Sequence, residues 1–151
     1  MKKKIYIAAR AKYRAKEVGK IQKTLQTVGY SVAYDWSACN VDIKKPYRNP
    51  KNRKHNLAAQ EKMLKAAAKA DIFIMLDDEG LRGAYVELGA FLHDCLNNSN
   101  GRAAYIVGEH SYEREFIFES PKYVIFAKNI KEVYEDIVNK YPKEFTTLLT
   151  R

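Results

Sequence analysis

Glu87 is the side chain around which this sequence offers the most chemistry. It stands in Asp71-Ile72-Phe73-Ile74-Met75-Leu76-Asp77-Asp78-Glu79-Gly80-Leu81-Arg82-Gly83-Ala84-Tyr85-Val86-Glu87-Leu88-Gly89-Ala90. That stretch reads as a buried strand, a short acidic turn containing glycine, and a helix with one carboxylate in its first turn. Leu88, Ala90, Phe91 and Leu92 follow, so the carboxylate belongs to a helix that is otherwise suited to the interior. Ionised carboxylates are rarely placed in such company unless they are paired or used. A helix N-terminus would offset part of the cost, by about 0.3–1 kcal/mol. A glutamate held ionised at the top of a sheet can serve as a nucleophile, although Glu is also favoured in first turns for purely local reasons.

The elements that must position it can be read from apolar spacing. Ile5–Ala8 is a short apolar strand. Val18, Ile21, Leu25 and Val28 recur at helical spacing, and Gly29 is placed to end that helix. Ser31–Tyr34 reads as a second strand, and residues 35–55 as an irregular stretch with Pro46 and Pro50. Asn56 is placed to cap a helix running to about Lys69, with Leu57, Leu64, Ala67 and Ala68 inward. Asp71–Leu76 is a third strand, nearly all apolar and therefore central. The Glu87 helix runs to about Asn97, Ala103–Val107 is a fourth strand, Tyr123–Phe126 a fifth, and Ile130, Val133 and Ile137 mark a last helix. The alternation predicts an α/β, flavodoxin-like three-layer sandwich with a five-stranded parallel sheet in the order 2-1-3-4-5. Ligands in such folds bind at the carboxyl ends of strands one and three, so Ala8, Ala9 and Arg10 would face the 77–87 segment across a crevice.

With 151 residues, no internal repeat and no linker, the chain reads as one domain, residues 1–151. Hydrophobic content of 46% with 30% charged residues fits a globular chain and excludes a disordered one. No apolar run approaches the ~20 residues a membrane span needs. The basic start gives way to an apolar run that stops at Arg10, which reads as a first strand rather than a signal peptide. Cys39 and Cys95 lie far apart without metal-type spacing, which points to reduced thiols in a cytoplasmic protein. The net charge of +9 predicts attraction to anions, either a phosphorylated small molecule or nucleic acid. Residues 44–54 carry six basic side chains and no acid, a solvated loop or a phosphate contact. No RNA-recognition or helix-turn-helix signature accompanies them, so a nucleic-acid partner ranks last.

Other candidates are less specific. Gly80 and Gly83 allow backbone N–H groups near the helix start to approach an anion. His55, His93 and His110 show no ligand spacing, so no metal is expected. Trp36, following Asp35 after strand two, either stacks on a ligand or packs in the core.

Lys4-Ile5-Tyr6-Ile7-Ala8-Ala9-Arg10, Ala70-Asp71-Ile72-Phe73-Ile74 and Gly83-Ala84-Tyr85-Val86-Glu87-Leu88-Gly89 together resemble the nucleoside 2-deoxyribosyltransferase superfamily, which includes the 2′-deoxynucleoside 5′-monophosphate N-hydrolases. The resemblance fades after Gly108. It implies a flavodoxin-like fold and Glu87 as the nucleophile that attacks the anomeric carbon of a deoxyribosyl group and expels the base. It also implies that Tyr6 lies near that nucleophile, that a small nucleoside or nucleotide is the partner, and that homo-oligomers form. No cofactor would be needed. An activating Asp, which the superfamily commonly carries on the helix before strand three, would fall near Met63, with Gln60 and Glu61 the nearest polar residues. Asp77 and Asp78 then lead as the general acid, with Glu61 behind. The expected activity is cleavage of a deoxynucleoside N-glycosidic bond, by transfer or hydrolysis. The rival is an inert nucleotide-binding protein with the same crevice.

Overall fold

The computed structural model describes residues 2–38, 50–78, 81–98, 101–109 and 122–140. Their elements are β1 (Lys4–Ala8), α1 (Ala11–Thr27), β2 (Ser31–Val32), α2 (Pro50–Ala68), β3 (Ile72–Leu76), α3 (Gly83–Asn97), β4 (Ala103–Val107), β5 (Val124–Ala127) and α4 (Ile130–Lys140). The five strands form one parallel sheet in the order β2-β1-β3-β4-β5. This is the α/β, flavodoxin-like arrangement that the alternation of elements predicts. Helices α2 and α3 pack against each other, and α1 meets α4 through Thr24 and Tyr134, as right-handed crossovers in this strand order require. Among the described residues no helix is long and apolar enough to cross a membrane.

Every residue of β3 and β4 is buried, as expected for strands covered on both faces. The β1–β3 register sets Tyr6 beside Phe73, with their rings stacked at 5.7 Å, and Phe73 in turn meets Phe91 of α3 at 5.4 Å. That aromatic row fixes how α3 lies on the sheet. Helix α1 ends as its sequence suggests. Gly29 has φ +100°, its N–H bonds to the Gln26 carbonyl, and the Tyr30 N–H bonds to that of Leu25. These paired bonds satisfy carbonyls the helix leaves open, and the left-handed backbone suits glycine.

Two boundaries differ from expectation. Strand β2 stops at Val32, because after the Ala33 N–H bond to Ile5 the chain bends into a turn where Asp35 Oδ1 accepts from Ser37 N and Ala38 N. Helix α2 starts at Pro50 rather than Asn56, so part of the basic stretch is helical. Proline suits the first helical position, where no intrahelical N–H bond is lost. Leu57 is exposed, and the core contacts of α2 come from Met63, Ala66 and the buried Ala67.

The end of the sheet opposite the carboxyl ends of the strands is held by Arg102. Its guanidinium bonds to the carbonyls of Ala68 and Ala70, pairs with Asp94 at 2.6 Å, and lies over the Phe91 ring. One nearly buried cation thereby joins the C-terminus of α2, the last turn of α3 and the start of β4.

Candidate active site

Helix α3 begins at Gly83, with Arg82 at its N-cap making no side-chain capping bond. Glu87 is the fifth helical residue, one turn further in than the sequence reading placed it, and the first turn carries no acid. The free N–H groups and the positive end of the dipole act within the first turn, so Glu87 does not draw on them. Its side chain is buried, only 8% exposed. Burial therefore dominates, and it pushes the carboxyl up to about 7 from its ordinary value.

The Tyr6 hydroxyl is the group that acts against that rise. It comes to the Glu87 carboxyl from β1 and lowers its pKa in part. Burial, followed by the charge of Glu87, drives the phenol far above its ordinary range, so Tyr6 remains protonated and can only donate to the carboxylate. Tyr6 Oη is buried without a partner at full hydrogen-bond geometry, so this contact is not a fully formed hydrogen bond. A protonated phenol aimed at a half-ionised carboxyl is a means of tuning a nucleophile near neutral pH.

Glu87 opens on a cavity of about 430 Å³ between α2 and α3, lined by Gln60, Met63, Leu64, Gly83, Val86 and Glu87. That volume is in the range of small-molecule sites. Gly83, Val86 and Glu87 share one face of α3 at the i, i+3, i+4 spacing, and a Cβ added at Gly83 would meet nothing within 4 Å. Val86, 62% exposed, forms the outer lip.

The sequence-derived candidates divide around this cavity. Tyr6, Gly83 and Glu87 are brought together. Ala8 is buried at the end of β1 beside Met75, Ala9 packs against the core, and Arg10 starts α1 with its guanidinium over the Tyr13 ring. The first turn of α1 reaches the end of β3 through the Arg14 guanidinium, which donates to the Asp77 carbonyl at 3.3 Å. Asp77 Oδ1 accepts from the Asp78 N–H and the Tyr85 hydroxyl, and neither Asp77 nor Asp78 is in the cavity wall given above. Glu61 is exposed and paired with Lys65 at 2.6 Å. Trp36 is buried, with its indole N–H donating to the Ile7 carbonyl at 2.6 Å, so it packs behind β1. Asp71, part of the resembling segment, holds the fold by accepting from the Lys4 N–H at 2.7 Å. Gly80 and residues 44–49 lie outside the described residues.

Leu64 and Val86 are site residues that sequence reasoning did not single out. The signal for them is helical spacing from Gln60 and from Gly83 respectively.

Comparison with protein-family models finds no match for this chain, and comparison with curated proteins finds none either. The functional reading therefore rests on the site itself and on the motif resemblance.

Proposed function

We propose that this chain cleaves the N-glycosidic bond of a deoxynucleoside or deoxynucleoside 5′-monophosphate through a covalent intermediate on Glu87. The observation that carries this reading is the buried Glu87 carboxyl, tuned to about 7 beside the Tyr6 hydroxyl and opening on a ligand-sized cavity. In the first step a Glu87 carboxylate oxygen attacks the anomeric carbon, the C–N bond breaks, and its electron pair leaves with the base, which takes up a proton from solvent water. The transition state has oxocarbenium character, and the product is a glycosyl ester. In the second step water or a second base attacks the same carbon and restores the carboxylate, giving hydrolysis or transfer with net retention. Splitting the displacement in two lowers each barrier. The Tyr6 hydroxyl steadies the carboxylate as it attacks and again as it departs. Arg82, exposed at the start of α3 next to Gly83, is a cation available to a 5′-phosphate.

The test is incubation of wild type and Glu87→Ala with the four deoxynucleosides and their monophosphates, with and without a second free base, following base release by chromatography. Glu87-dependent release supports the reading, and exchange with the added base separates transferase from hydrolase. A second reading draws on the α2 wall, where Gln60, Met63 and Leu64 present no titratable group: a nucleotide-binding protein that does no chemistry. Saturable nucleotide binding without base release from any substrate would favour it.

A further inference from the structure

The two walls of the cavity differ in chemistry. Helix α3 supplies the carboxyl of Glu87 and, at Gly83, open space in place of a side chain. Helix α2 supplies Gln60, Met63 and Leu64, an uncharged surface with a single polar group. An in-line displacement at carbon needs the leaving group on the side away from the attacking oxygen. With the sugar beside Gly83 and Glu87, the leaving base lies against α2. There a thioether and an aliphatic side chain suit a flat ring. The Gln60 carboxamide is neutral at every pH and offers a donor and an acceptor side by side, which pairs with a base edge bearing the same two functions.

Resting on the glycosidic reading, we infer that Gln60 is the specificity-determining residue of this site: its carboxamide reads the donor–acceptor edge of an uncharged nitrogen heterocycle that packs on Met63 and Leu64, across the sugar from Glu87. Gln60 is on the exposed side of α2, so its replacement leaves the fold intact, and the reading of the base is what changes.

The experiment compares kcat/KM of wild type, Gln60→Leu and Gln60→Glu on the natural deoxynucleosides and on benzimidazole 2′-deoxyriboside, whose six-membered ring presents no polar edge. For the preferred natural base, Gln60→Leu is expected to lose about 10- to 100-fold, the usual cost of stranding a polar edge in a binding site. Cleavage of the benzimidazole compound should stay within about threefold, since that ring makes no bond for the variant to lose. Gln60→Glu, which keeps the shape but only accepts, should shift preference toward bases with an exocyclic amino group. An equal fall on every substrate, or an unchanged order of preference, would overturn the assignment. If wild type cleaves none of the substrates, the glycosidic reading itself fails, and that failure shows before any Gln60 variant is compared.

Discussion

Replacing Glu87 with glutamine is expected to stabilise the fold above neutral pH and to leave its stability unchanged in acid. The carboxyl is buried, and its pKa is raised from 4.5 to about 7 in the folded protein, while the unfolded chain titrates near the lower value. Between those two values the folded state keeps a proton that the unfolded state has already released. The native protein therefore loses stability as pH rises through that window. Below it both states are protonated and nothing is lost. Above it the cost is complete, about 3 kcal/mol at about 1.36 kcal/mol for each pH unit between the two values. Glutamine has nearly the same shape, cannot ionise, and escapes the cost. Urea unfolding of both proteins from pH 4.5 to 8.5 measures this directly, with the slope m confirming an unchanged unfolded reference. The difference should be near zero at the acid end and approach about 3 kcal/mol by pH 8. A constant difference across the range, or a variant less stable than wild type at pH 8, would refute the reasoning. Either would show that the carboxylate is ionised and well compensated in the fold.

Three further outcomes are expected. Tyr6→Phe removes the hydroxyl that lowers the Glu87 pKa, so the rise of kcat/KM with pH should move to higher pH while stability changes by less than about 1 kcal/mol, because Tyr6 Oη has no fully formed bond to lose; a pH–rate profile with urea unfolding checks both. Arg102→Met strips the carbonyls of Ala68 and Ala70 of their buried donor, while Asp94 keeps Lys69 at 2.9 Å, which should cost about 1–3 kcal/mol in urea unfolding. Gly83→Val places branched carbons in space that no other group fills, so it should abolish base release with little change in unfolding, and unimpaired release would show that substrate does not pass that wall.

The fold was legible because its signals are local and redundant. The apolar run at 72–76 reads as a central strand and that at 103–107 as its successor, and Gly29 sits where the closing bonds of α1 need a left-handed residue. Boundaries were less legible where a single residue decides them: Pro50 starts α2 without any change in apolar period, and β2 is cut short by a turn that Asp35 closes. The site was half legible. Glu87 and Gly83 carry recognisable types and spacing and share one cavity wall, while Tyr6 was indicated by the family resemblance and meets the Glu87 carboxyl. The opposite wall comes from α2 by tertiary packing alone, so Leu64 reads from sequence as core rather than as part of a site. The position of Glu87 within α3 also escaped the sequence, since Arg82 gives no capping signal to mark where the helix begins, and it is burial that raises its pKa.

The most direct test of the central claim is to quench wild type during turnover of a deoxynucleoside and locate any adduct by peptide mass spectrometry. One deoxyribosyl group on the peptide containing Glu87, absent from Glu87→Gln, is the expected result. Base release at the wild-type rate by Glu87→Gln, or an adduct on a different residue, would contradict a glycosyl–Glu87 intermediate.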